Sequence, residues 1–249
     1  MKKVSVLMAL LAVLAVVSCK KDNGGNNNQE QNQEQNQEPN QEENQEPVYE
    51  APITIDGNFA DWAKLDASKM AVATCATNAK WEGLKVLKLY MDEAYLFVYF
   101  EYDDAAIPDK SDVQGHIYFD ADNDATTGGC SNQFDPGCIE YMGEGHFFRS
   151  DAVSSFDPSI SAWVGETLGA GWEWETVYPS GSGLFTGAGG NGKYEMAMLR
   201  DAFQELGDEF GFGMDIQQAW NSVGVLPNAE LTDDNPTGRS SLLKVKLAQ

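Results

Sequence analysis

The sequence predicts an all-β fold, an antiparallel β-sandwich of the immunoglobulin or jelly-roll kind, behind a signal peptide and a disordered tether. Three observations predict the sandwich. From Pro52 onward, apolar residues recur with a period of two. Gly-, Pro-, Asn- and Asp-rich segments cut that pattern into short runs. Helical spacing is confined to Arg200–Leu206, about two turns long. A closed barrel would leave the same signature, so the period alone does not decide closure.

The strands follow in order. Lys85–Met91 (KVLKLYM) alternates polar and apolar residues. Tyr95–Tyr102 (YLFVYFEY) is apolar and aromatic throughout, as in a strand buried on both faces. Asp92-Glu93-Ala94 between them is a hairpin connection. In Gly115–Asp120 (GHIYFD), Ile117 and Phe119 share one face, and His116, Tyr118 and Asp120 share the other. Further strands are predicted at Ile139–Arg149, Ser161–Leu168, Trp172–Tyr178, Lys193–Leu199, Glu209–Gln217 and Ser241–Leu247.

Three segments divide the chain. Residues 1–18 read as a lipoprotein signal peptide. Met1-Lys2-Lys3 is basic, and the apolar run Val4–Val17 is interrupted only by Ser5. The run is shorter than the ~20 residues a membrane span needs. It ends in Val16-Val17-Ser18-Cys19, which resembles a bacterial lipobox and implies that Cys19 carries the lipid. Residues 19–47 form an Asn/Gln/Glu-rich tether with no apolar side chain to bury except its prolines, so ordering it is not repaid. As a flexible coil it reaches about 30 Å. Residues 48–249 are long enough for one domain with its own core.

That domain keeps 12 of the 16 Lys and Arg and 32 of the 39 Asp and Glu, a net charge near −20. A field of that sign repels nucleic acid and anionic lipid, and it suits neutral ligands and cations. No nucleic-acid partner is expected, and membrane contact is through the lipid anchor only. With Cys19 assigned to lipid, Cys75, Cys130 and Cys138 remain. Cys130 and Cys138 flank a turn-rich loop, and a disulfide there would contribute about 2–3 kcal/mol. Cys75 is then expected on a strand as a small buried hydrophobe, although pairing with either of the others stays open. There is no CxxC, and the histidines are His116 and His146, so the spacing suits no zinc site.

The stretch FDADNDATTGG places Asp120, Asp122 and Asp124 at alternate positions. This resembles the start of an EF-hand loop, but Ala125 stands where Gly is needed and Ser131 where the bidentate Glu belongs. It reads instead as a strand running into a loop, with Asp120, Asp122, Asp124, Thr127 and Glu140 as candidate oxygen ligands for a structural Ca²⁺. Crowded carboxylates raise one another's pKa unless a cation offsets them. The alternative is a solvated turn in which Asp and Asn cap backbone amides.

All six tryptophans fall in the domain. Trp172 and Trp174 share a strand face, and Trp163 lies on the preceding strand. The three form a candidate sugar-stacking platform, with half of a sandwich core as the alternative. Glu173 and Glu175 also stand two apart, at a spacing a glycosidase pair can use, but any Glu-x-Glu strand meets that condition. Gly-x-Ser-x-Gly, His-Glu-x-x-His and phosphate-loop motifs are absent from the sequence.

Four segments in chain order carry a family resemblance: Ile53–Leu65 (ITIDGNFADWAKL), Tyr95–Phe100 followed by Asp103-Asp104, Ile117–Gly129 (IYFDADNDATTGG), and Tyr194–Met198 followed by Leu199-Arg200. Together they resemble family 9 carbohydrate-binding modules and the related DOMON-like sandwiches. The resemblance implies a β-sandwich, a structural calcium ion, glycan binding without catalysis, and a packing role for Trp62. The expected protein is therefore a non-catalytic lipoprotein at the outer membrane or cell surface of a Gram-negative bacterium, binding a glycan or polysaccharide. Two other functions stay open: a structural or protein-interaction module of a surface complex, and a carboxylate-dependent glycoside hydrolase.

Overall fold

The computed structural model describes residues 49–248, except 108–109, 111, 150–151, 154–155, 166–167, 170–172 and 204–205. The expected signal peptide, Cys19, the tether and Trp172 lie outside the described residues. Among the described residues no helix is long and apolar enough to cross a membrane.

The chain runs through β1 (Ala71–Thr74), β2 (Leu84–Met91), β3 (Tyr95–Tyr102), β4 (Asp112–Asp120), β5 (Gly129–Cys130), β6 (Cys138–Ile139), β7 (Tyr141–Arg149) and β8 (Ala152–Val153). It continues through β9 (Ser159–Trp163), β10 (Trp174–Tyr178), β11 (Phe185–Gly190), β12 (Lys193–Leu199), β13 (Glu209–Gln218), β14 (Asn221–Leu226) and β15 (Leu243–Lys246). The fold is an antiparallel β-sandwich. A five-stranded sheet has the order β1-β2-β3-β12-β11. The larger sheet has the order β10-β9-β7-β4-β13-β14, with β8 added to β7 and β15 to β13. The short β5–β6 ribbon forms a separate two-stranded sheet.

Alternation of side chains explains how the sheets pack. On β3, Leu96, Val98, Phe100 and Tyr102 face the central core, where they meet Ile117 and Phe119 of β4 and Phe210, Phe212, Met214 and Ile216 of β13. The other face of β3, Phe97 and Tyr99, is covered by Ile53 and Trp62 of the N-terminal segment. That double coverage is why YLFVYFEY carries almost no polar residue. Phe119 is fully buried at its end of the core. Its ring is 4.6 Å from Phe203, 5.2 Å from Phe212 and 5.9 Å from Phe210.

Strand expectations hold at Tyr95–Tyr102, Lys193–Leu199 and Glu209–Gln217. The predicted Ile139–Arg149 strand is broken at Glu140, which separates β6 from β7. Among the described residues, helical spacing at Arg200–Leu206 yields a 3-10 turn at Arg200–Ala202. Its apolar residues Ala202 and Phe203 cap the core end instead of lining a helix face. β11 and β14 went unpredicted because FTGAGG and NSVGVL are rich in Gly, Asn and Ser, which signal turns. Cys75 is half-buried one residue past β1, not buried on a strand as expected; its sulfur lies 3.5 Å from the Asn228 amide nitrogen.

One buried carboxylate joins the N-terminal segment to the five-stranded sheet. Glu195 of β12 is fully buried on the outer face. Its Oε1 accepts from the Asp56 and Gly57 amides at 3.1 and 2.8 Å, and its Oε2 accepts from Trp62 Nε1 at 3.0 Å. Gly57 has φ +80°, so the Ile-Asp-Gly turn that aims two amides at one oxygen needs glycine there. Trp62 thus has the packing role expected of it, with a hydrogen bond added. Glu195→Ala would strand the buried Trp62 donor and two half-buried amides and is expected to lower stability by about 2–3 kcal/mol. Glu195→Gln keeps one acceptor and should lose about 1–2 kcal/mol. Urea unfolding of the full chain measures both; a loss under about 0.5 kcal/mol for Glu195→Ala would contradict the assignment.

Candidate functional site

Asp120 is the last residue of β4 and leaves the sheet on the face opposite Phe119. Glu140 returns to the same place from the break between β6 and β7. Its amide donates to the Phe119 carbonyl at 2.8 Å, and its carbonyl accepts from the Trp163 amide at 2.8 Å. These bonds fix the Glu140 backbone, and its Oε2 accepts from the Ala121 amide at 2.7 Å. One oxygen each from Asp120, Asp122 and Glu140 lie within 4.8 Å of one another. Thr127 Oγ1 donates to Asp122 Oδ2 at 2.9 Å and sits 3.5 Å from Glu140 Oε1. Gly128, with φ +80°, lets the loop pass: a Cβ there would lie 2.4 Å from Glu140 Oε1.

Asp124 stands outside this convergence. Its Oδ1 accepts from the Thr126 amide and hydroxyl at 2.9 and 2.6 Å, which holds its carboxyl below the usual range. The trio at alternate positions therefore does not close on one point; Glu140, twenty residues after Asp120, takes the third place.

The electrostatics show the crowding. Burial pushes the Glu140 carboxyl up to about 7, opposed by the Ala121 amide and reinforced by Asp122 and Asp120. Asp120 is also raised, by burial first, against the pull of Lys244. Lys244 Nζ lies 3.6 Å from Asp120 Oδ2 and bonds Asn123 Oδ1. Asp120 Oδ1 is buried without a hydrogen-bond partner among the described residues. Three converging carboxylates, a hydroxyl and an unsatisfied buried oxygen fit a hard divalent cation such as Ca²⁺, which binds oxygen ligands only. Such an ion would supply positive charge and fix the loop; it would supply no reaction.

Beside this cluster, a cleft of about 370 Å³ opens on the outer face of the larger sheet. His116 and Tyr118 of β4, Glu144 of β7 and Gln217 of β13 form its floor. Trp174, Trp220 and the loop Cys130–Gln133 form its walls. His116 Nε2 is 3.1 Å from Glu144 Oε2, and this bond holds the Glu144 carboxyl below its ordinary range. Below the floor lies Asp215, fully buried, with burial raising its carboxyl. Its Oδ2 accepts from Gln217 Nε2 at 2.6 Å and Ser222 Oγ at 2.9 Å.

Trp220 is 63% exposed. It occupies the two-residue turn between β13 and β14 with φ 65°, next to Ala219 at φ 46°. Such a turn prefers Asn-Gly, so a bulky residue there is strained. Its ring centroid is 6.4 Å from that of His116. Strain together with an exposed indole at a cleft mouth makes Trp220 a candidate binding residue.

Of the expected aromatic platform, Trp163 and Trp174 lie among the described residues. Trp163 and Trp174 are direct cross-strand partners, packed edge to face with centroids 5.3 Å apart. Of the two, Trp174 lines the cleft; Trp163 lies behind it with Nε1 buried and unpartnered among the described residues. A Cβ on Gly129 would lie 2.4 Å from the Trp174 ring, so β5 rests directly on the indoles. Cys130 and Cys138 are paired in register across β5 and β6, as the expected disulfide requires. The disulfide is not formed: both are free thiols. Cys130 is exposed, whereas Cys138 is buried with its Sγ donating to the Ala125 carbonyl at 3.1 Å. Glu173 and Glu175 are exposed at the sheet edge, outside the cleft.

Sequence reasoning missed Glu144, Gln217 and Trp220 as site residues and placed His116 as an ordinary strand residue with a bonded tip. Alternation did put His116 on the same face as Tyr118 and Asp120. Trp220 becomes legible only once NSVGVL is read as a strand.

The Glu140 carboxyl titrates at 4.5 ordinarily and at about 7 in the folded chain. The folded state therefore holds this proton more tightly than the unfolded state. In chelator, its contribution to stability is full below pH 4.5 and is lost as pH rises to about 7. Glu140→Gln is expected to flatten the slope of stability against pH in that window, measured by urea unfolding in EDTA. A slope unchanged by the substitution would contradict the burial and crowding at Glu140.

Compared with protein-family models and with curated proteins, the chain matches none.

Proposed function

We propose that this chain is a lipid-anchored bacterial surface protein that binds carbohydrate without cleaving it, in the cleft between Trp174 and Trp220, with calcium at Asp120, Asp122 and Glu140 holding the cleft's loop wall. The observation that carries the reading is the strained, exposed Trp220 at the mouth of a cleft with a polar floor. Sugar rings present C–H faces that stack on indoles, and their hydroxyls bond fixed polar groups. The net charge near −20 and the resemblance to family 9 carbohydrate-binding modules support the same reading. Loop Cys130–Gln133 is anchored through β6 to Glu140, so an ion at Glu140 would stiffen the cleft wall.

A second reading, a protein-interaction module, is favoured by an apolar groove of about 360 Å³ on the outer face of the five-stranded sheet, lined by Tyr49, Ile53, Ile55 and Phe97 among others.

A glycan array probed with the full chain, in calcium and in EDTA, tests the first reading. Expected are a restricted set of bound glycans, loss of that signal in EDTA, and about tenfold weaker binding by Trp220→Ala. An empty array, or Trp220→Ala binding as wild type, would overturn it.

A further inference from the structure

The polarity of the cleft sets the charge of its ligand, an inference that rests on the carbohydrate-binding reading. Glu144 has a lowered pKa and is therefore an ionised, acceptor-only group at neutral pH. His116 Nε2 is then the donor in their hydrogen bond. Gln217 commits one amide hydrogen to Asp215, so its carbonyl oxygen and its second N–H remain for the cleft. Glu144 and Gln217 thus each offer an acceptor to the cleft. Underneath, His116 Nδ1 and Asp215 Oδ1 are buried without hydrogen-bond partners among the described residues, so unused capacity is concentrated here. The described residues lining the cleft include no Lys or Arg.

We infer that the cleft selects a neutral, polyhydroxylated ring and rejects sugars carrying carboxylate or sulfate. The ligand donates hydroxyl hydrogens to Glu144 and the Gln217 carbonyl and lays a C–H face on Trp220. The carboxylate group of an acidic sugar brings no proton for these acceptors, meets Glu144 as a like charge and finds no Lys or Arg in the cleft lining to balance it. Ser131, Asn132 and Gln133 on the wall add neutral polar groups that suit sugar hydroxyls.

The test uses the full chain in calcium against an array carrying neutral, uronate and sulfated glycans. It includes two pairs differing only by oxidation at C6: cellohexaose with the β-1,4-glucuronan hexamer, and β-1,4-mannohexaose with the β-1,4-mannuronan hexamer. Neutral glycans should dominate the bound set, with acidic counterparts at least about tenfold weaker. Glu144→Gln, at a half-exposed position, should narrow that gap while leaving the thermal melt in place. Acidic glycans bound as tightly as neutral ones, or a gap unmoved by Glu144→Gln, would overturn the charge selection and leave the carbohydrate reading standing. No bound glycan of either class would overturn both.

Discussion

Three carboxylates brought within 4.8 Å of one another at the end of β4 are the constraint on which the functional face depends. They are held there by the core. Phe119 is packed among Phe203, Phe210 and Phe212, which leaves Asp120 one place to go. Glu140 is tied to the same point by backbone bonds to Phe119 and Trp163. The chain between them is the loop that walls the cleft. Repulsion at the base of that loop would splay it, and protonation or a bound cation would close it.

The sandwich carries a fully buried carboxylate on the outer face of each sheet, and their surroundings differ. Glu195 is met by three donors and joins the N-terminal segment to the fold. Among the described residues Asp215 is met on one oxygen only, beneath a cleft, beside a histidine that also lacks a partner there on one nitrogen. A completed set of bonds serves structure, whereas an incomplete one at a concave surface leaves room for a ligand. The same distinction separates Trp62, buried and bonded, from Trp220, exposed on a strained turn.

The fold was largely legible because core-facing residues of an antiparallel sheet alternate, and Tyr95–Tyr102 departs from alternation for a reason the structure supplies. β11 and β14 were not legible because Gly and Asn within a strand read as turn signals. The acidic loop was legible by composition but not by geometry. Alternate spacing suggested that Asp124 joins Asp120 and Asp122, but short-range bonding to Thr126 holds Asp124 away. The cleft was least legible. Its floor draws one or two residues from each of three strands distant in sequence, and no local period reports which strands become neighbours.

The most direct test of the account is calorimetric titration of the EDTA-stripped full chain with calcium chloride at neutral pH. One saturable site per chain, absent from Glu140→Gln, is the expected result. A titration with no saturable heat, or a Glu140→Gln variant that takes up calcium as wild type does, would contradict the claim that the acidic groups beyond Phe119 gather around a cation.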